Sequence, residues 1–351
     1  MKKTFIIFSV IFFLFNISCN NKAKMTKIKP LSAGNEKITL YNTRHGLIDD
    51  FITSLVVEKL KDREIIWIGT WKGIVKYDDD DRWVSYTSGD GLSQDHVTDI
   101  TIDNSNNLWA STISLKNEGG VSKFDGRKWE NFNKFGKNAE YANVVSMFTD
   151  SKDRVWVGTW GKGIGYYFND KWSFFDTSDG LPSDEIMDIT EFNGNIWFAT
   201  KNDGAFYLLE DSMTWEKVNE HSSKIINDSI CSIKAGKNEI WIGTWGGVSV
   251  FNGKSWKSYT HWTGLLDNFI RTIDYDESTG YTYFGTDKGL SIFKDDEWIN
   301  YDSTGVFKME AGKKVYSSQT EKLPSDKITC IAVSESFIWV GTDKGLARIQ
   351  K

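Results

Sequence analysis

Three Gly-Thr-Trp triplets end in Trp71, Trp160 and Trp245, each followed within three residues by glycine. An indole in a glycine-bounded turn is not needed by any strand. Aromatics of this kind around a concave mouth suit stacking on a sugar ring or on a cationic ligand. The competing expectation is that each folds down onto neighbouring structure. A second set of polar side chains opens short apolar runs: His96 before Val-Thr-Asp-Ile, Glu185 before Ile-Met-Asp-Ile, and Arg271 one residue into Ile-Arg-Thr-Ile. Arg271 stands where the other copies carry Thr53, Thr98, Val145, Met187, Cys231 and Thr329. A long cation there is expected either to point into the mouth and meet an anionic group, or to pair with Glu185 or an aspartate.

Acid chemistry and metal chemistry have weaker support. Glu185 with Asp50 or Asp95 would be the paired carboxylates of a hydrolase. His45, His96, His221 and His261 lie in separate connections, so they form no lyase-like set. Asp103-Asn-Ser-Asn-Asn107 and Asp150-Ser-Lys-Asp153 resemble the start of a calcium loop but lack its glycine and distal glutamate. Both are read as hairpin turns, and the acidic run 78–81 as a solvated turn. No metal and no cofactor are expected.

The elements that position these residues are a repeat. The aromatic of one strand recurs at Trp67, Trp109, Trp156, Trp197, Trp241, Tyr283 and Trp339, at spacings of 42, 47, 41, 44, 42 and 56. Around it stand Ile-Ile-Trp-Ile-Gly-Thr, Arg-Val-Trp-Val-Gly-Thr, Glu-Ile-Trp-Ile-Gly-Thr and their variants. A second aromatic opens a later strand: Trp83, Trp129, Trp172, Trp215, Trp256 and Trp298. The stretch 239–260 shows the grammar, with three apolar runs too short for helices, separated by Thr-Trp-Gly-Gly and Asn-Gly-Lys-Ser turns. Four strands, A to D, per period of 40–45 residues predict an all-β, seven-bladed β-propeller of four-stranded antiparallel blades. Both strand aromatics are then expected in the core between blades.

The last copy ends after its third strand. Residues 37–43 match the missing fourth, so the N-terminal strand is expected to complete blade seven and remove an open sheet edge. In this scheme the D–A and B–C connections share one face, which collects Trp71, Trp160, Trp245, His96, Glu185 and Arg271. Residues 303–324 are an insertion between blades six and seven, expected to be a binding loop or mere decoration.

Gly-Leu-Pro-Ser-Asp-Glu-Ile-Met-Asp-Ile (180–189) followed by Gly-Asn-Ile-Trp-Phe-Ala-Thr (194–200) resembles the two-component-regulator propeller repeat, and such copies cover residues 37–351. The resemblance implies a ligand-binding sensor propeller of the kind common in Bacteroidetes, where such arrays form the periplasmic half of hybrid kinases. One array is present here without a kinase, so what carries over is a recognition module.

The remainder concerns location. Lys2 and Lys3, the apolar run Phe5–Phe15 and Ile17-Ser18-Cys19 resemble a signal peptide ending in a loose bacterial lipobox. Residues 1–19 are read as a leader with Cys19 lipidated, and 20–36 as a polar tether. The absence of acids before Glu36 favours a periplasm-facing anchor in the outer membrane. A net charge of −6 gives nucleic acid no global attraction. Cys231 and Cys330 fall in separate blades and are read as buried free thiols. The functional expectation is a non-catalytic module for a small molecule or oligosaccharide. The alternatives are a scaffold for an envelope protein, and a propeller lyase or hydrolase.

Overall fold

The computed structural model describes residues 38–61, 63–78, 80–114, 119–136, 142–209, 212, 214–223, 225–310 and 312–351. The leader, the tether and Cys19 lie outside these residues. Short β-branched and aromatic runs are divided by positive-φ glycines and aspartates, and among the described residues they form seven antiparallel sheets with helical segments of one turn at most. Blade one is typical: strand A Ile52–Lys59, B Glu64–Thr70, C Gly73–Asp78 and D Arg82–Tyr86. Strands A of the following blades are His96–Ile102, Val144–Thr149, Ile186–Phe192, Ile230–Ala235, Ile270–Tyr275 and Ile328–Val333. The described residues thus form a seven-bladed propeller. In blade seven, Ile38–Tyr41 takes the D position and pairs antiparallel with Gly345–Gln350, from Ile38 opposite Ile349 to Tyr41 opposite Leu346.

Packing between blades comes from strand B. Trp67, Trp109, Trp156, Trp197, Trp241, Tyr283 and Trp339 are all buried. Removing a side chain of this size costs about 3–5 kcal/mol. The glycine two residues on lets the next blade approach closely: a Cβ on Gly243 would lie 2.5 Å from Ile270 Cγ2. The strand D tryptophans differ from expectation. Trp83 and Trp298 are buried, but Trp129, Trp172, Trp215 and Trp256 are only partly covered. Trp298 has the blade-six insertion beyond its strand and Trp83 packs on Tyr41 and Tyr77, whereas the other four lie on the outer edge strand of a four-stranded sheet.

Buried carboxylates on the inner strands tie blades together. Asp99 accepts from Ser54 Oγ of blade one at 2.6 Å and from the Met147 amide of blade three at 2.7 Å. Asp188 accepts from Ser232 Oγ at 2.9 Å and the Ile233 amide at 2.8 Å. Each such bond satisfies a buried donor that strand pairing leaves free.

The 303–324 insertion is a β-hairpin. Gly305–Glu310 and Lys313–Ser318 extend blade six outward into a six-stranded sheet. The two calcium-like segments are turns held from within. Asp103 accepts from the Ser105 and Asn107 amides and from Trp109 Nε1, and Asp150 from the Lys152 and Arg154 amides and Trp156 Nε1. Asp78 and Asp80 pair with Arg82 in their turn.

Candidate functional site

Two local devices build the mouth. The first is the B–C turn. In Gly-Thr-x-x-Gly, lengthened by one residue in blade three, the threonine hydroxyl donates to the carbonyl of the later glycine: Thr70 to Gly73 at 2.8 Å, Thr159 to Gly163 at 2.8 Å, Thr244 to Gly247 at 2.8 Å. This closes the turn and fixes the residue after threonine at its tip. That residue is Trp71, Trp160 and Trp245 in blades one, three and five, Lys201 in blade four, and Asp287 and Asp343 in blades six and seven.

The second device is a β-bulge near the start of strand A. All seven blades carry it, at Thr53, Thr98, Val145, Met187, Cys231, Arg271 and Thr329. A bulge re-aims a side chain out of the pleat. In blades five and six it turns Cys231 and Arg271 toward the tip residue of their own B–C turn: Trp245 Nε1 lies 3.2 Å from Cys231 Sγ, and Arg271 grips Asp287.

The predicted residues come together in pairs rather than as one constellation, and each pair straddles a seam between blades. At the seam of blades one and two, Trp71 stacks on Phe51 at 4.3 Å and 21°, with His96 at 6.0 Å on the next blade. At the seam of blades three and four, Trp160 Nε1 donates to Glu185 Oε1 at 3.2 Å. Lys201 Nζ also reaches Glu185 at 3.0 Å and lies 5.3 Å from the Trp160 ring. At the seam of blades five and six, Trp245 packs edge-on against Phe269 at 5.6 Å, and the Arg271 guanidinium lies 4.8 Å from the Phe269 ring. The three indoles touch the neighbouring blade yet remain 39%, 57% and 47% exposed.

Arg271 does not project freely into the mouth. Its Nε and a terminal nitrogen grip both Asp287 oxygens at 2.5 and 3.1 Å, the pairing with an aspartate that the sequence left open. Cys231 is half-buried rather than buried. Burial pushes its thiol up, which keeps it a neutral acceptor for the Trp245 indole, while Cys330 is buried and both are free thiols.

The carboxylates that the sequence offered as a pair are each engaged elsewhere, Glu185 with Trp160 and Lys201. Asp50 accepts the Thr43 amide at 2.6 Å and Asp95 the Ser88 amide at 2.6 Å. Asp184, Asp228, Asn268 and Asp326 make the same bond in other D–A connections. The aspartate of the repeat motif is therefore a loop lock. His45 is buried and caps its own turn through the Asn42 amide, His221 sits on the short helix Glu220–Ser223, and His261 bonds Asn268. Among the described residues, no three His, Cys, Asp or Glu side chains are grouped to hold a metal ion.

Three buried oxygens of the mouth positions, Thr53 Oγ1, Asn143 Oδ1 and Asp343 Oδ1, have no hydrogen-bond partner among the described residues. Lys201 escaped sequence reasoning because a lysine in a turn reads as solvated. Its signal was its place, which is that of the tryptophans. Trp262 escaped too, although it is the one tryptophan of sixteen outside the strand and turn series.

Residues 140–161 match the family model described as two component regulator propeller. No curated protein matches the sequence significantly. Among solved structures, the fold is similar to an extracellular domain from B. thetaiotaomicron described as part of a hybrid two component system, with TM-score 0.72, 20% identity, and coverage of 90% of this chain and 41% of that one. A second B. thetaiotaomicron extracellular domain, described as from a one component system, gives TM-score 0.65 at 18% identity, with 88% and 43% covered. The chain thus spans less than half the length of either domain. Virginiamycin B lyase from Staphylococcus aureus gives TM-score 0.65 at 12% identity, with 94% and 100% covered. At these identities the likeness is one of fold. No helix among the described residues is long and apolar enough to cross a membrane.

Proposed function

We propose that this chain of two-component-regulator propeller repeats is a non-catalytic recognition module whose mouth binds a small neutral ligand, an oligosaccharide by preference. The observation that carries this reading is the threefold recurrence of a half-exposed indole over an inter-blade seam, at Trp71, Trp160 and Trp245. Exposed indole faces contribute little to folding, but they offer flat apolar area at low entropic cost to a ligand ring. The charges beside two of the indoles are paired, Glu185 with Lys201 and Arg271 with Asp287.

The lyase reading has the fold in its favour, but among the described residues no three His, Cys, Asp or Glu side chains are grouped to hold a metal ion. The scaffold reading rests on the blade-six hairpin, which exposes Val315 and Tyr316. Both remain subordinate to the aromatic mouth. Sensor-type work in the cell envelope fits the repeat family. Lipidation of Cys19, and an outer-membrane anchor facing the periplasm, belong to the same proposal. Labelling with a fatty-acid analogue, lost in Cys19→Ala, tests the anchor.

The test of the mouth is a thermal-shift screen over oligosaccharides with wild type and a Trp71→Ala/Trp160→Ala/Trp245→Ala triple variant. The expected result is a glycan that raises the melting temperature of wild type alone. Equal shifts in both proteins would remove the mouth as the site.

A further inference from the structure

Trp262 is 86% exposed. It sits in the D–A connection of blade five, on the one-turn 3-10 segment His261–Thr263. That turn is rigid. Thr260 caps it, the Thr260 and Thr263 side chains bond each other's backbone, and Gly264 closes it at φ 112°. No other side chain fits at Gly264, because a Cβ would lie 2.5 Å from the Trp298 ring. The same turn in other blades carries Arg44, Gly89 or Ser178 at the position of Trp262. The turn therefore does not need an aromatic, and an indole held in water gains folding nothing.

The second departure from the repeat faces it. Among the described residues the extra hairpin occurs in blade six alone, and Lys308, Met309 and Glu310 of its first strand form the opposite wall of a cleft of about 910 Å³. Two features that the repeat does not supply thus enclose one space. That space is separate from the three seams: none of Trp71, Trp160, Trp245, Glu185 or Arg271 lines it.

The charges of the cleft indicate the ligand. Lys288 pairs with Asp267 at 3.1 Å, and Lys308 with Glu297 at 3.2 Å. Their charges cancel, and Glu310 leaves a slight negative excess, so an anion finds no free cation here. What remains is one broad indole face, a methionine and a rim of carboxylate and amide acceptors. A pyranose ring presents the complement, with an apolar C–H face bordered by hydroxyl donors. We infer that the cleft between the Trp262 turn and the blade-six hairpin is a second binding site, for a neutral saccharide chain, independent of the mouth.

The experiment titrates the full chain with neutral hexasaccharides of the glucan, mannan, xylan and chitin classes, reading tryptophan emission and calorimetric heat. Choline and inorganic sulfate serve as charged controls. A saccharide should bind saturably, and Trp262→Ala should weaken it at least ~10-fold, the loss of about 1.4 kcal/mol or more. Met309→Arg, which blocks the cleft from its other wall, should do the same. Both variants should keep the wild-type melting temperature, and the Trp71/Trp160/Trp245 triple variant should retain this binding. Absence of saturable saccharide binding would overturn the inference. So would wild-type affinity in Trp262→Ala, loss in the mouth triple variant alone, or binding of choline or sulfate in place of sugar. Failure of the mouth reading alone leaves the Trp262 titration unchanged, so the two are separable.

Discussion

Trp160 and Glu185 meet across the seam of blades three and four, indole nitrogen to carboxylate oxygen at 3.2 Å, with Lys201 completing the group. The contact holds an exposed ring in one orientation. Glu185→Ala should free both the indole and the lysine. Because the group is well exposed, the stability cost should stay within about 1 kcal/mol. Ligand affinity at the mouth should fall more than stability does, since the platform loses its preset orientation. Parallel melting curves and ligand titrations check this. A large melting-temperature loss with unchanged affinity would make Glu185 structural.

Tyr41 is the anchor of ring closure. It is buried, and its ring lies 5.3 Å from Trp83, 5.5 Å from Tyr77 and 6.1 Å from Trp339. It therefore joins the N-terminal strand both to blade seven and to blade one. Tyr41→Ala should cost about 3–5 kcal/mol, and deletion of residues 37–43 should cost more and promote aggregation through the exposed edge of Gly345–Gln350. Chemical denaturation of the two variants measures this. A wild-type midpoint in both would mean that the strand contributes nothing to closure.

The repeat was legible because strand pairing and blade packing impose similar residues on blade after blade. Buried Trp at strand B, the Gly-Thr-x-x-Gly turn and the loop-lock aspartate all follow from one geometry. The site was legible only in part. The tips of the B–C turns stand out as Gly-Thr-Trp, but which residue each tip meets depends on the neighbouring blade, some 25 residues away for Trp160 and Glu185. The pairing of Arg271 with Asp287 depends on a bulge that no local pattern announces. Strand D tryptophans look identical to strand B ones in sequence, but the outer edge has one fewer neighbour. Trp262 was missed because an exposed turn constrains no residue type, so no pattern marks a departure from it.

Asp150 replaces a cation as the organiser of its hairpin. Its buried carboxylate accepts from two backbone amides, from Trp156 Nε1 at 2.8 Å and from Arg154 Nε at 2.5 Å. Asp150→Ala would strand these buried donors and an arginine, at about 3–5 kcal/mol. Calcium or a chelator should leave the wild-type melting temperature unchanged, because the oxygens are already occupied by protein donors. A calcium-dependent rise that disappears in Asp150→Ala would reverse this assignment.

Asp99 makes stability depend on pH in a direction opposite to that of most carboxylates. Burial pushes its carboxyl up from the ordinary 3.8 to about 7, and the nearby charge of Asp188 adds to this, against the opposing bonds from Ser54 and Met147. Between those two values the folded chain holds a proton that the unfolded chain has released. The slope of unfolding free energy with pH follows protons bound unfolded minus folded, so for this group it is negative. The contribution is complete below the unfolded value and is lost as pH rises through about 7. Asp99→Asn cannot titrate but keeps an amide oxygen to accept from Ser54 or Met147. The melting-temperature advantage of wild type over Asp99→Asn should therefore be largest near the acid end of the folded range and shrink as pH passes neutrality. Paired melting curves across that range decide it. An advantage that grows with pH would show that Asp99 is ionised in the fold, with its hydrogen bonds outweighing the cost of burial.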